Sequence, residues 1–119
     1  MTLIFVYGTL KRGCSNHHYL AGQAFQGEAT TAPGFALFDL GEHPGMVEIP
    51  GEPGSVAGEV WLVDAPCLAN LDALEGTAEG LYRRGAVALL GPFAGRGVEA
   101  YYYLEAVEGR RRLGSSWTE

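Results

Sequence analysis

Cysteine is scarce in this chain: Cys14 and Cys67 are the only two in 119 residues. A small secreted domain built on disulfides would carry more, so free thiols are expected. No apolar run approaches the roughly 20 residues that span a bilayer. The segment Met1 to Gly8 lacks the basic region, the long apolar stretch and the small-residue cleavage site of a secretory signal. A cytoplasmic protein with no membrane partner is the expectation. Charge is sparse and uneven, with 14 acidic residues against 8 basic ones and a formal net charge of −6. Such a domain has no global field to attract a phosphate backbone, so nucleic acid is not an expected partner. The one basic cluster, Arg110 to Arg112, reads as a solvated turn.

What remains is apolar and heavily punctuated. Hydrophobic residues make up 47 %, which excludes a disordered chain. The 18 glycines and 6 prolines are scattered between short apolar runs, with no linker, repeat or low-complexity block. One domain over residues 1–119 is expected, and a long helical bundle is not. Leu3 to Tyr7 is continuous, β-branched and aromatic, as a central strand covered on both faces would be. Further strands are predicted over 25–31, 35–40, 46–49, 56–63, 85–90 and 98–104. Short strands with Gly/Pro turns suggest a closed or nearly closed sheet. The predicted fold is therefore α+β, a small mixed β-barrel of six or seven strands with one or two short helices.

One segment reads clearly as helix. Asp64 is a plausible N-cap, Pro66 lies in the first turn, and Gly76 is placed to end it. Leu68, Leu71 and Leu74 form an apolar stripe. A second, weaker helix is predicted from Asn16 to about Gln23, capped by Ser15. Tyr101 and Tyr103 share one strand face and Tyr102 the other, with core packing the simple account and a cavity-lining phenol the other.

Glu75 breaks the pattern. At about 100° per residue, seven steps return to the same helix face, so Glu75 lies over Leu68 within the stripe. Partial burial and the negative end of the helix dipole both raise a carboxyl pKa, towards the range useful to a general acid–base group. A Glu that simply bends out to solvent is the alternative. Asp72, at the border of the stripe, is expected to face water.

A ligand-binding partner for Glu75 is offered by Tyr7-Gly8-Thr9-Leu10-Lys11-Arg12-Gly13. Gly8 permits a sharp turn, successive amides in such a turn can form an anion nest, and Lys11 and Arg12 add positive charge. A purely structural turn is the alternative. The spacing is not that of a phosphate-binding P-loop. Cys14, His17 and His18 lack a fourth ligand at zinc-like spacing, so no metal is expected. His43 reads as a loop residue. The G-x-S-x-G elbow of a serine hydrolase is missing, and neither cysteine has a catalytic context.

Ile4 to Gly13, with Asn16-His17 and Leu20, resembles the opening of the gamma-glutamylcyclotransferase-like family. The likeness continues through Asp39-Leu40-Gly41 with Pro44-Gly45, Val56-x-Gly58-Glu59-Val60, Leu71-Asp72-x-Leu74-Glu75-Gly76, Tyr82-x-Arg84, the strand ending at Tyr103, and Gly114-x-x-Trp117. Two departures are visible: the stretch from Gly76 to Leu81 is one residue longer than usual and lacks a common Pro, and Ser115-Ser116 replaces the usual Gly-Asp.

The resemblance implies a small α+β domain on a β-barrel. It implies an enzyme of the acyltransferase or lyase kind that releases 5-oxoproline and a free amine from a small gamma-glutamyl substrate, without a cofactor. It places the acid–base role on Glu75, and substrate binding on Tyr7, Gly8, Thr9, Leu10, Tyr82 and Tyr103. A non-catalytic binding or regulatory module that retains the cavity is the alternative. The leaving amine and the oligomeric state are not legible.

Overall fold

Along the chain the elements are β1 (Thr2–Val6), a 3-10 turn (His17–Leu20), β2 (Ala24–Thr30), β3 (Phe35–Asp39), β4 (Pro44–Glu48), β5 (Ala57–Val63), α1 (Ala65–Glu75), β6 (Tyr82–Ala86), a second 3-10 turn (Gly91–Phe93) and β7 (Glu99–Tyr103). The computed structural model describes residues 1–119. Five strands form one mixed sheet in the order β2-β5-β1-β7-β6, and β3 and β4 form a separate hairpin. β1 is antiparallel to β5 and parallel to β7.

The apolar run that opens the chain sits at the centre because both of its faces have cover. Phe5 and Tyr7 point to one core, with Val60, Ala100, Tyr102 and the hairpin residues Phe35, Leu37 and Met46. Ile4 and Val6 point to the other, with Trp61, Val63, Tyr82, Tyr101 and the helix residues Cys67 and Leu71. The two-residue period of a strand splits adjacent side chains between the two cores. Each large side chain fully enclosed here, such as Phe5, Ile4, Leu37 or Leu71, contributes about 1.5–3 kcal/mol. No helix is long and apolar enough to cross a membrane.

The α+β class and the seven strands agree with the sequence reading. The strands do not close into one hydrogen-bonded barrel. The hairpin meets the sheet through side chains, with Phe35, Leu37 and Met46 in one cluster with Phe5, Val60 and Tyr102, while isolated bridges join Phe38 to Arg112 of the C-terminal segment and Thr31, after β2, to Leu89, after β6. Two strands are displaced by more than one residue. The strand predicted over 85–90 is Tyr82–Ala86 instead, because pairing with β7 recruits Tyr82, Arg83 and Arg84 despite their polar sequence. The strand predicted from Met46 begins at Pro44, whose missing N–H is tolerated in the first strand position.

The helix predicted from Asn16 is one 3-10 turn without a side-chain cap. Ala21 is already extended and Gly22 has φ 79°, so the turn cannot propagate. Ser15, its expected cap, gives its amide and hydroxyl to Glu119. In the basic triplet, Arg111 pairs with Asp39 at 3.1 Å and Arg112 with Glu52 at 2.8 Å. The two arginine side chains are still more than half exposed, so solvent screens both pairs.

Candidate active site

Helix α1 starts and stops on side-chain chemistry visible in the sequence. Asp64 Oδ1 accepts from the Cys67 amide at 2.9 Å, and Gly76 ends the helix in the left-handed region at φ 68°. The Gly76 amide then reaches back to Ala73 O at 3.2 Å and the Thr77 amide to Asp72 O at 3.1 Å. Leu71 is fully buried, while Leu68 and Leu74 flank it at the edge of the core. Glu75, one turn beyond Leu71, comes to rest half-buried. Burial pushes its carboxyl pKa up to about 7, and no basic group opposes that shift.

Across from the helix end lies the turn after β1. The Tyr7 hydroxyl donates to Tyr101 O at 2.7 Å and accepts from the Met46 amide at 3.2 Å. Burial holds this phenol protonated, with Tyr82 and Glu75 adding to the shift. The carbonyls of Gly8, Thr9 and Leu10 are all occupied. Gly8 O accepts from the Lys11 amide at 3.1 Å and Thr9 O from the Asn16 amide at 2.9 Å, and Leu10 O lies 3.0 Å from His17 Nδ1. Asn16 Nδ2 also donates to Thr9 Oγ1 at 3.0 Å. The amides of Gly8, Thr9 and Leu10 donate to no acceptor in the protein. A turn whose carbonyls are drawn back and whose N–H groups are unused can receive an anion. Glycine is required at position 8 because a Cβ there would lie 2.9 Å from both Cδ and Cγ of Pro44. Close approach, rather than a positive φ, is the reason.

These two features face one cavity of about 390 Å³. Tyr7, Gly8, Thr9, Leu10, Glu75 and Tyr82 all line it. Tyr103 does not: its ring packs edge-on against Tyr82 at 5.3 Å between centroids and backs that wall from behind. The Tyr82 hydroxyl donates to Pro44 O at 3.1 Å, and burial, then the nearby Glu75, pushes its pKa above the usual range.

The remaining lining includes Tyr101, for which cavity lining is the alternative to core packing, and residues given no such role by the sequence. Tyr101 and Leu74 form part of the wall, Asn16 stands beside the turn, and Glu42 and His43 from the β3–β4 loop stand at the mouth. Only the folded hairpin brings His43 there. Asn16 had a signal, since it belongs to the same opening motif as the turn.

Two expectations are corrected. Lys11 and Arg12 add no charge to the cavity. Lys11 Nζ donates to Trp117 O, and Arg12 Nε lies 3.1 Å from the buried Glu59. Both line a wider groove of about 950 Å³ elsewhere on the molecule, which contains neither Glu75 nor the free amides. Asp72 is not simply turned to water: it is only partly exposed and is bonded to Arg84 and Tyr101. No group of three His, Cys, Asp or Glu side chains is close enough to hold a metal ion.

Comparison with known proteins converges on one group. Residues 4–119 match the family model described as gamma-glutamyl cyclotransferase, AIG2-like. The chain is similar to a gamma-glutamylaminecyclotransferase of Rattus norvegicus, at 42 % identity over 94 residues, which are 73 % of this chain and 62 % of the rat protein. It is also similar to the gamma-glutamylcyclotransferase family protein YtfP of Escherichia coli K12, at 35 % identity over 94 % of this chain and 91 % of that one. Among solved structures, an AIG2-like protein from Mus musculus superposes with a TM-score of 0.77 at 32 % identity, covering 99 % of this chain and 88 % of the mouse chain. The chain spans about three fifths of the rat relative's length.

Proposed function

This chain belongs to the gamma-glutamyl cyclotransferase, AIG2-like family, and on that premise we propose that it converts a gamma-glutamyl amine or amide into 5-oxoproline and a free amine. The reading is carried by one juxtaposition: an unbonded carboxyl with a pKa raised to about 7 shares a cavity with three unused amides.

The reaction needs no protein nucleophile. The substrate's α-amine attacks its own γ-carbonyl, a bond forms between that nitrogen and the γ-carbon, and the bond from the γ-carbon to the leaving nitrogen breaks. The attacking nitrogen sheds two protons: Glu75 takes one from the α-ammonium and delivers it to the leaving nitrogen, and the second, lost on ring closure, protonates the released amine through solvent. A group with pKa near 7 is suited to both transfers. The amides of Gly8, Thr9 and Leu10 receive the substrate carboxylate or the developing oxyanion. Tyr7 and Tyr82 shape the cavity, with Tyr103 behind them, so that the substrate is held folded for ring closure. Intramolecular reactions held in such a geometry gain several kcal/mol from proximity alone. A cytoplasmic site of action is part of the proposal, supported by the free thiols of Cys14 and Cys67.

The test is incubation with gamma-glutamyl amines, gamma-glutamyl dipeptides and glutathione, followed by detection of 5-oxoproline. Release from at least one, abolished in Glu75→Gln, is the expected result. Release that is undiminished in Glu75→Gln refutes the acid–base assignment. Tight binding of 5-oxoproline with no release from any compound points to a binding module instead.

A further inference from the structure

Glu75 has no bond to the protein that would hold its carboxyl in place. Its aim across the cavity depends on whatever fixes the helix turn that carries it. Leu71 anchors the middle of α1, but Leu68 and Leu74 are only partly buried. Within α1 the bonded side chain nearest Glu75 in sequence is Asp72, one turn earlier.

Asp72 is gripped on three sides. Arg84 donates to it through two nitrogens, Nε to Oδ1 at 3.0 Å and Nη2 to Oδ2 at 3.1 Å. The Tyr101 hydroxyl donates to Oδ1 at 2.7 Å. Arg84 and Tyr101 are direct cross-strand partners in the β6–β7 ladder, so both side chains rise from the same face towards the helix. Two residues earlier on β7, Glu99 accepts from Arg84 Nη1 at 2.7 Å and holds the other edge of the guanidinium. The Asp72 carbonyl is held as well: it accepts from the Thr77 amide at 3.1 Å and from Thr77 Oγ1 at 3.4 Å. Glu75 lies between these two anchored points.

We propose that Asp72, gripped by Arg84 and Tyr101, is the positioning residue that holds Glu75 across the cavity from the amides of Gly8, Thr9 and Leu10. The proposal rests on Glu75 as the acid–base group. Stability alone is a weak explanation for the arrangement, because partly buried ion pairs can often be replaced by apolar residues without loss. Geometry explains it better. The bidentate fork fixes both position and angle, and a single misplacement of about 1 Å at a reacting group costs about a hundredfold in rate. Tyr101 also lines the cavity, so the same bond fixes part of the wall.

Two variants test this, Asp72→Asn and Arg84→Gln, with Val56→Ala as the control. Val56 is fully buried in the opposite core, so its truncation lowers stability without touching the latch. Turnover is measured on a gamma-glutamyl amine that the wild type uses, at a temperature where all the proteins are folded. The expected result is a fall in kcat of at least about tenfold in both latch variants, with KM within about threefold of wild type. Amide exchange at Gly76 and Thr77 is expected to accelerate while exchange in β1 and β5 keeps its protection. In Val56→Ala, kcat is expected to hold. A kcat in the latch variants that falls no further than in the control overturns the proposal, whatever happens to their thermal stability. Unaltered exchange at Gly76 and Thr77 in both variants overturns it too. If the wild type releases 5-oxoproline from no gamma-glutamyl compound, the proposed reaction fails by itself. The exchange measurement then still decides whether the latch holds this turn.

Discussion

Asp72 and Glu75 stand one turn apart on the same short helix, yet one carboxylate is bonded by Arg84 and Tyr101 and the other by nothing. Burial opposes ionisation at both. At Asp72 the hydrogen bonds and the Arg84 charge outweigh burial and lower the pKa. At Glu75 burial acts alone and raises it to about 7. Two like groups are thereby driven apart, one to a fixed structural charge and the other to a group that exchanges its proton near neutrality.

Glu75→Gln keeps the side-chain shape and removes the base. A loss of at least about 10²-fold in kcat is expected from the usual contribution of a general acid–base group. In the wild type, kcat/KM should rise with pH through a limb near 7, the pKa of Glu75 in the free protein. A wild-type profile with no limb in that region would count against the assignment.

The same substitution should stabilise the protein at alkaline pH. The folded pKa of Glu75 lies above its ordinary value of 4.5. Between the two values the unfolded chain is ionised while the folded one keeps its proton, so the cost of folding grows with pH and levels off above about 7. A folded pKa of about 7 in place of 4.5 corresponds to about 3 kcal/mol as an upper figure. Denaturant unfolding at pH 8 should therefore show Glu75→Gln more stable than wild type, with the two curves converging near pH 4.

Gly8→Ala places a methyl group 2.9 Å from two ring carbons of Pro44. A proline ring cannot swing away as a flexible side chain would, so the turn or the hairpin must move. A stability loss of about 1–3 kcal/mol is expected. It should be accompanied by weaker binding of 5-oxoproline in calorimetry, because the displaced backbone carries the receiving amides.

Arg12→Ala separates charge from catalysis. The Arg12 amide and Nε each meet Glu59 at 3.1 Å, and the guanidinium lies 3.9 Å from the Phe25 ring centroid, away from the cavity. Turnover should change by less than about threefold, while the buried Glu59 carboxylate loses a partner at a cost of about 1–3 kcal/mol. Burial works against ionisation of Glu59, but its hydrogen bonds from Arg12 and Trp61 prevail and lower its pKa. The stability lost in Arg12→Ala is therefore present at neutral pH and should shrink as pH falls through the Glu59 titration. A collapse of kcat instead would place Arg12 in the substrate site.

Tyr7→Phe tests whether the phenol is structural or chemical. The hydroxyl joins the Tyr101 carbonyl to the Met46 amide, both buried, and so ties β7 to the hairpin. Its loss leaves both groups unpaired and should cost about 1–3 kcal/mol in chemical denaturation. Turnover at a temperature well below the transition should stay within about tenfold, since the phenol is held protonated.

Much of this was legible in the linear chain because the signals were local. The central strand follows from a five-residue apolar run with no polar face. The helix follows from Asp64, Pro66 and Gly76, whose capping and termination act within a few residues of themselves. Glu75 stood out because a seven-residue spacing on a helix is a matter of geometry alone. The turn at Gly8 was visible as a glycine after a strand, although its reason, the nearness of Pro44, was not.

What the chain could not disclose was where side chains go once distant elements meet. Nothing local distinguishes an Asp at the border of a helix from one facing water; Asp72 is claimed by Arg84 and Tyr101 only because β6 and β7 pair in that register. Lys11 and Arg12 sit beside the binding turn in sequence, yet Glu59 on β5 and the Trp117 carbonyl draw them to another surface. The periodicity of one segment and the caps at its ends fix an element by itself. Direction and charge partners depend on pairs separated by tens of residues, and those are set only by how the sheet, the hairpin and the helix close on one another.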